Sequence, residues 1–229
     1  MKYIRASIFL VYAMLSSGII MASLIWLALF GRRGAFLWIY IWAKNGILSA
    51  RYILGVTYEV KGTIPDYPAI YAVKHQSAWE TGFMQTVIKN PVYILKKILT
   101  YIPLYNIMMF TAGYIPVDRK NNAGALRKMV KDAKKQLAKG SNIIIFPEGT
   151  RVAYGERGEI KPGVIALYKM TDAPIIPVSL DSGRLWPRNS FIKKPGKITV
   201  TFHKPIEKGL SREEFVKKLD EKINSNTTP

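Results

Sequence analysis

The chain has 229 residues and a formal net charge of +19 at pH 7, because 34 Lys and Arg residues outnumber 15 Asp and Glu residues. This excess of positive charge indicates an anionic partner, such as a nucleic acid, an anionic membrane surface or a phosphorylated substrate. Hydrophobic residues make up 49% of the sequence, which excludes a disordered chain, and the lack of Cys together with only 2 His excludes disulfides, thiolate chemistry and a Cys- or His-rich metal site.

The N-terminal segment is long and apolar enough to enter a membrane. Residues 8–30 contain no charged residue, and their number is close to the roughly 20 residues with which a helix crosses a bilayer. A cleaved signal peptide is disfavoured, because its apolar core is only about 7–15 residues long. A second apolar block, residues 35–43, is too short to span alone, and its aromatic residues suit the membrane interface. We therefore expect two membrane-anchoring helices in residues 1–55 and one further domain in residues 56–229.

The basic residues around the first apolar segment bear on its orientation. Lys2 and Arg5 precede it, and Arg32 and Arg33 follow it. The positive-inside rule draws both ends to the cytoplasm, so a single span would leave one pair on the wrong side. A helix pair that dips into one leaflet avoids this conflict and is favoured over a true span. A buried helix of a soluble core is the third alternative.

Beyond residue 55, short apolar runs alternate with amphipathic segments. The runs that predict strands are residues 69–73, 92–95, 114–117, 142–146, 173–180 and 197–202. The periodicity predicts helices over residues 78–88 and 126–139, and a last helix begins at Ser211, with Glu214 at the capping-box spacing. The alternation predicts an α/β domain with a mixed central sheet flanked by helices. Pro116 and Pro177 favour edge or irregular strands, because proline cannot donate to a strand ladder.

The segment after the first of these strands combines a histidine with a carboxylate. His75 precedes Glu80 by five residues, so on one continuous helix the two side chains would lie well apart around the axis. They can meet if His75 lies on the loop and Glu80 lies in the first turn of the helix. A histidine held by a carboxylate is a general base near neutral pH. The alternative is structural: Ser77 and Glu80 form a capping box, with Ser77 as an N-cap rather than a nucleophile.

Basic side chains follow three of the predicted strands. Arg151 lies in the turn 148–151 after the run 142–146, Arg119 follows the run 114–117, and Lys96 follows the run 92–95. A turn that contains Gly and Arg can hold an oxyanion such as a phosphate, and a guanidinium binds phosphate oxygens in pairs. Lys97 and Lys161 are weaker candidates for the same role. The alternative is that such side chains are solvated or contact lipid head groups, as many of the basic residues must.

Four segments resemble, in the right order, the motifs of the glycerolipid acyltransferases, and specifically of bacterial 1-acyl-sn-glycerol-3-phosphate acyltransferases. They are residues 74–80, 113–119, 146–151 and 174–178. The first is similar to the family's His-x-x-x-x-Asp block, with Glu80 where the family usually has Asp. The extra methylene still allows a hydrogen bond to the imidazole. The coverage, from about residue 56 to 205, makes the four ordered motifs a specific match.

The resemblance implies an enzyme that moves a fatty acyl group from an acyl thioester to the sn-2 hydroxyl of 1-acylglycerol 3-phosphate, giving phosphatidic acid. It implies a general-base role for His75, which Glu80 orients. It further implies that substrate is bound by Lys96, Arg119, Glu148, Gly149, Thr150 and Arg151. Acyl-CoA or acyl carrier protein would be the acyl donor, and no cofactor or metal is expected.

The expected surroundings are anionic membrane lipids at the cytoplasmic face of a bacterial inner membrane. Two other readings remain: a different acceptor, such as glycerol 3-phosphate or another lysolipid, or a non-catalytic membrane protein that binds lipid. A nucleic-acid-binding protein would account for the net charge, but not for the uncharged N-terminal segment or the four ordered motifs.

Overall fold

The structure, a computed structural model, describes residues 1–23, 25–118 and 122–226. Seven strands form one sheet: β1 (Val56–Lys61), β2 (Ile70–Val73), β3 (Pro91–Lys96), β4 (Ile115–Val117), β5 (Asn142–Ile145), β6 (Ile175–Leu180) and β7 (Gly196–Phe202). Their order across the sheet is β1-β7-β6-β2-β5-β3-β4. The pair β6–β7 is antiparallel and the other neighbours are parallel. The predicted mixed α/β sheet is confirmed.

Eight α-helices flank or precede this sheet in the described residues. They are α1 (Lys2–Ser23), α2 (Gly31–Ser49), α3 (Trp79–Val87), α4 (Tyr105–Ala112), α5 (Asn122–Ala138), α6 (Pro162–Met170), α7 (Ser182–Leu185) and α8 (Arg212–Ile223). The predicted helices correspond to α3, α5 and α8, and Ser211 and Glu214 form both bonds of the predicted capping box. The sequence reading did not predict β1 or the helices α4, α6 and α7.

The middle of the sheet is its most apolar part. Every residue of β2, β5 and β6 is buried, because helices cover both faces of strands that are almost continuous apolar runs. Since β2, β3, β4, β5 and β6 run parallel, their carboxyl ends lie along one edge of the sheet. Ligands of open α/β sheets bind in the crevice at such an edge.

The two prolines differ in their positions. Pro116 lies in β4, which is an edge strand as expected. Pro177 lies in β6, in the middle of the sheet, so the expectation of an edge is wrong there. The antiparallel pairing of β6 with β7 begins at Val178, opposite Phe202. Pro177 lies just outside this ladder, so its lack of an N–H leaves no ladder hydrogen bond unmade. Its carbonyl still accepts the His203 N–H at 3.0 Å.

The helices α1 and α2 form an antiparallel pair that is connected by a short 3-10 segment, Ile25–Phe30. Trp42 Nε1 donates to Ser17 Oγ at 3.0 Å, and Trp38 Nε1 donates to the carbonyl of Ile20 at 3.2 Å. Within the described residues, α1 is the one helix long and apolar enough to cross a membrane, and its most apolar stretch is only 6% buried. The alternative of a buried core helix is therefore wrong.

The helix α2 lies between α1 and the rest of the chain, packed against α3 and α4. Arg32 strengthens this attachment, because its guanidinium donates to the carbonyl of Ala112 at 3.3 Å, to Gln136 Oε1 at 2.9 Å and to Ser141 Oγ at 2.6 Å. Arg32 therefore anchors the start of α2 to the α/β domain. The division into residues 1–55 and 56–229 stays a prediction.

Candidate active site

The loop between β2 and α3 brings His75 and Glu80 together. His75 lies on the loop and Glu80 lies in the first turn of α3, so the backbone reverses enough for the side chains to meet. The Nδ1 atom of His75 lies 2.9 Å from Oε1 of Glu80. Because a carboxylate only accepts hydrogen bonds, this contact assigns the proton to Nδ1 and leaves the Nε2 lone pair of a neutral imidazole for another molecule.

Glu80 is fully buried and also organises the loop. Its Oε1 accepts the N–H groups of Gln76 and Ser77, each at 2.7 Å, and its Oε2 accepts the hydroxyl of Ser182 at 2.8 Å. Burial is the largest influence on the pKa of Glu80 and raises it, but the hydrogen bonds and charge of His75 and the bonds from Ser77 together outweigh burial and lower that pKa. Orientation of His75 and organisation of the loop before α3 are therefore performed by one carboxylate.

Ser77 is placed as a structural residue. It is fully buried, its Oγ donates to Glu80 Oε2, and the same oxygen accepts the N–H of Trp79 at 3.0 Å. The helix begins at Trp79, one residue later than a Ser77 N-cap requires. This hydroxyl is committed to the base of α3 and is not available as a nucleophile.

The imidazole of His75 stacks on the ring of Phe146, with ring centroids 3.8 Å apart and the planes inclined by 17°. Phe146 follows β5, the neighbour of β2 in the sheet. The His75 side chain is only 14% exposed. The stacking and the bond to Glu80 together hold the ring in one orientation at the edge of the sheet.

A buried ion pair lies directly behind the histidine. Lys74 Nζ is 2.6 Å from Glu148 Oε1, and both side chains are almost completely inaccessible. The second oxygen of Glu148 accepts the backbone N–H of His75 at 2.9 Å. The Lys74 ammonium also donates to the carbonyl of Glu156 at 3.1 Å and to Asn224 Oδ1 at 2.7 Å, so it has two hydrogen-bond acceptors besides the carboxylate that balances its charge.

The resemblance predicted that Glu148 binds substrate. In the structure its carboxylate is bound to Lys74 and to the His75 backbone. Burial raises the pKa of Glu148, and the ammonium of Lys74 acts in the opposite direction. The sequence analysis did not predict a role for Lys74. A lysine that extends an apolar strand immediately before the motif histidine is an unusual residue to bury, and this position was the signal for such a role. Lys74 is also the residue that ties this loop to Asn224, at the end of α8.

A cavity of about 700 Å³ opens in front of His75. Its polar lining includes the predicted residues Lys96, Gly149, Thr150, Arg151 and Lys161. Its apolar lining includes Tyr93, Ile94, Leu95, Tyr105, Tyr114 and Met129. A largely apolar cavity with a few polar groups is the usual form of a small-molecule site.

The remaining candidates fall in different places. Lys97 pairs with Asp118 at 3.8 Å on the surface, and Arg119 lies outside the described residues. Arg188 lines the cavity and donates to the carbonyl of Arg151 at 3.1 Å. The sequence reading missed Arg188 because no motif accompanies it. Among the residues that the structure describes, no group of three His, Cys, Asp or Glu side chains could hold a metal ion.

The fold and this site define a class of enzymes that carry a histidine–carboxylate pair at the carboxyl edge of an α/β sheet. A family model described as Acyltransferase matches residues 55–181. The chain belongs to the acyltransferase family.

Relatives from several kingdoms agree with this assignment. The chain is 34% identical over 161 residues to the 1-acyl-sn-glycerol-3-phosphate acyltransferase of Pseudomonas aeruginosa, covering 69% of this chain and 63% of that protein. It is 31% identical over 177 residues to the protein of the same name from Cocos nucifera, covering 76% and 58%. These aligned regions are less than two thirds of each relative's length.

One solved structure has the same fold along nearly the whole chain. It is the crystal structure of the 1-acyl-sn-glycerophosphate (LPA) acyltransferase PlsC from Thermotoga maritima, with a TM-score of 0.79 and 22% sequence identity. The similarity covers 98% of this chain and 95% of that one, so the N-terminal helices belong to the shared architecture.

The buried ion pair leads to a first prediction. Lys74→Met leaves the Glu148 carboxylate buried without its counter-charge, and we expect the free energy of unfolding to fall by about 3–5 kcal/mol. The double variant Lys74→Met/Glu148→Gln removes both charges and keeps an acceptor for the His75 N–H, so it should recover much of the loss. Thermal unfolding of the detergent-solubilised protein, followed by circular dichroism, measures both.

The matched control for the Lys74 and Glu148 variants is Lys128→Met, which removes an exposed ion pair with Asp132. This change should lower the free energy of unfolding by about 0.3–0.5 kcal/mol. A double variant no more stable than Lys74→Met would contradict the charge-compensating role of Lys74. A loss of stability from Lys74→Met as small as the loss from Lys128→Met would also contradict that role.

Proposed function

We propose that the protein is an O-acyltransferase that moves a fatty acyl group from an acyl thioester to the sn-2 hydroxyl of 1-acylglycerol 3-phosphate, giving phosphatidic acid. The single observation that carries this proposal is the His75–Glu80 pair, whose histidine lines a cavity that contains both basic and apolar side chains. The names of the relatives support the same reaction.

His75 acts as the general base of the proposed reaction. Its Nε2 takes the proton of the acceptor hydroxyl while the hydroxyl oxygen attacks the thioester carbonyl. The imidazolium that forms is stabilised by Glu80, whose bond to Nδ1 also holds the tautomer. Collapse of the tetrahedral intermediate breaks the carbon–sulfur bond, and the imidazolium returns its proton to the thiolate. The thioester is already activated, so no acyl-enzyme is required.

The basic residues of the cavity hold the acceptor's phosphate. Arg151, Lys96, Lys161 and Arg188 line the cavity, and Arg119 is proposed as an additional phosphate ligand. Guanidinium groups bind phosphate through paired hydrogen bonds and are more selective for its geometry than ammonium groups are. Gly149 and Thr150 shape the turn that carries Arg151, whereas Glu148 supports that turn from behind.

The apolar lining of the cavity accommodates the acyl chain of the donor. Acyl-CoA or acyl carrier protein supplies this chain, and both are anionic, which suits a chain with a net charge of +19. The thioester itself is the activated reactant, so no cofactor enters the proposal.

The protein is proposed to lie on the cytoplasmic face of a bacterial inner membrane, with α1 immersed in one leaflet. Support comes from the exposed apolar side chains of α1, such as Leu15 and Ile19, at 63% and 66% exposure. A second exposed apolar group follows β3 and includes Ile98, Tyr101 and Phe110, at 57–68% exposure. Because α2 is packed against α3 and α4, the pair lies along the domain rather than pointing away from it, and anionic lipids would meet the basic surface.

The general-base role is tested by His75→Ala, which should lower kcat by about 10²–10⁴-fold. Glu80→Asp should keep substantial activity, whereas Glu80→Gln should lose more, because an amide cannot stabilise the imidazolium as a carboxylate does. Acyl transfer is measured with purified enzyme and a panel of acceptors that includes glycerol 3-phosphate. If His75→Ala retains more than about a tenth of wild-type kcat, His75 is not the base.

The phosphate-binding role is tested by Arg151→Ala, which should raise KM for 1-acylglycerol 3-phosphate by about tenfold or more and leave the KM of the donor nearly unchanged. Arg157→Ala is the control, since Arg157 is an exposed partner of Asp220 and should leave both constants unchanged. An equal rise in both KM values would assign Arg151 to the donor or to the fold.

The in-plane arrangement of the helix pair is tested by cysteine labelling, since the native chain has no Cys. Single cysteines at Lys2 and Arg33 should resist an impermeant thiol reagent on intact bacterial cells and react in inverted membrane vesicles. Lys217→Cys, on the exposed surface of α8, should follow the same pattern. External labelling at either N-terminal position, with Lys217→Cys protected, would establish a true span.

A further inference from the structure

A second cavity lies between the N-terminal helix pair and the start of α3. It has a volume of about 300 Å³ and we name it the helix-pair cleft. Its walls include Phe9 and Ala13 of α1, Trp42 and Gly46 of α2, and Trp79 and Gly82 of α3. At about 30 Å³ for a group the size of a water molecule or a methylene, it has room for about ten such groups.

The walls of the helix-pair cleft suit an alkyl chain. Its polar residues on the helix pair are already bonded to each other: Asn45 Nδ2 donates to Ser16 Oγ at 2.9 Å, and Trp42 Nε1 donates to Ser17 Oγ at 3.0 Å. Much of the hydrogen-bonding capacity of these groups is therefore already used by contacts between the two helices. The remaining wall is largely aromatic and aliphatic, and such a surface favours an apolar ligand.

The cleft adjoins the main cavity at Arg151, the proposed phosphate ligand. Thr81 and Arg151 line both, whereas His75 lines the main cavity and is not among the described residues that line the cleft. A ligand with a phosphate on Arg151 can therefore extend into the cleft without passing the base. Each of the two substrates of the proposed reaction brings one acyl chain.

The chain that is transferred must hold its carbonyl at His75, so it occupies the main cavity. The chain that the acceptor already carries is separated from the reacting hydroxyl by glycerol carbons and an ester, so it can lie elsewhere. We propose that the helix-pair cleft binds the acyl chain of the lysophospholipid acceptor. This inference rests on the proposed function, and it assigns the N-terminal helices a role in acceptor selection in addition to membrane attachment.

An unsatisfied donor in the cleft wall fits the same ligand. Trp79 is 2% exposed, and its indole N–H has no hydrogen-bond partner in the described part of the chain. A buried N–H without an acceptor is costly. The carbonyl of an acyl ester is an acceptor that a lysophospholipid brings with its chain and that a hydrocarbon solvent would not provide.

The cleft can be filled by substitution at glycines in its walls. A Cβ at Gly46 would meet no atom within 4 Å, and a Cβ at Gly82 would meet only Ile47 Cδ1, at 3.9 Å. Gly46→Leu therefore places a side chain in free space, and Gly82→Ala narrows the cleft from the opposite wall. Replacing a glycine within a helix also removes its unfavourable helix propensity. Gly18→Leu is the matched control, because Gly18 lies on the exposed side of α1 with equally free space.

The experiment measures kcat/KM of the full-length enzyme in detergent for 1-acylglycerol 3-phosphates with a long and a short acyl chain. The ratio of long-chain to short-chain values is compared between variants, so that partitioning of the lipids into micelles cancels. Each displaced methylene is worth about fourfold in binding. We expect the ratio to fall by about tenfold or more in Gly46→Leu, by less in Gly82→Ala, and to stay unchanged in Gly18→Leu, with the donor chain-length preference unchanged throughout.

Three outcomes would contradict the assignment of the cleft to the acceptor chain or the proposed function on which this assignment rests. A ratio unchanged in both Gly46→Leu and Gly82→Ala shows that the acceptor chain does not use the cleft. A shift in donor chain-length preference, without a change in the acceptor ratio, assigns the cleft to the donor. Wild-type enzyme that acylates neither lysophospholipid contradicts the proposed function itself, which separates its failure from that of the cleft.

Discussion

The site depends on one buried ion pair, between Lys74 and Glu148, at 2.6 Å. Desolvation makes such a pair costly unless every proton and lone pair is satisfied. Here the ammonium has acceptors in the loop after β5 (Glu148 and Glu156) and at the end of α8 (Asn224), and the second carboxylate oxygen of Glu148 accepts the His75 N–H. The pair therefore links the end of β2, the turn after β5 and the end of α8. A shift of any of these segments would move the His75 backbone.

Glu80 shows how one carboxylate can serve both structure and chemistry. It accepts bonds from the loop backbone and from hydroxyl groups while it holds His75. The backbone contacts of the loop fix the carboxylate group, and the Glu80 side chain reaches the imidazole of His75 with its extra methylene. The capping box that the sequence offered as an alternative is not formed at α3, and Glu80 instead holds both the loop backbone and His75 because its two oxygens can accept several bonds at once.

The helix pair joins the proposed membrane surface to the catalytic cavity. The helix α2 contacts α3, whose first turn carries Glu80, and Arg32 ties the start of α2 to Ala112, Gln136 and Ser141. The outer helix α1 keeps its apolar side chains exposed. The helix-pair cleft and the main cavity share Thr81 and Arg151, so the proposed lipid acceptor can reach the main cavity beside the helices that are proposed to contact the membrane.

The sequence by itself determined the α/β class, most strands and the His75–Glu80 pair, because these depend on local periodicity and on short spacings along the chain. It also indicated Arg151, Lys96 and the turn around Gly149, which line the cavity. Only the tertiary structure decided that Glu148 faces Lys74, that Ser182 supports Glu80 and that Arg188 lies beside Arg151. Those contacts join segments distant in sequence, and they depend on the order of strands in the sheet, which local patterns do not encode.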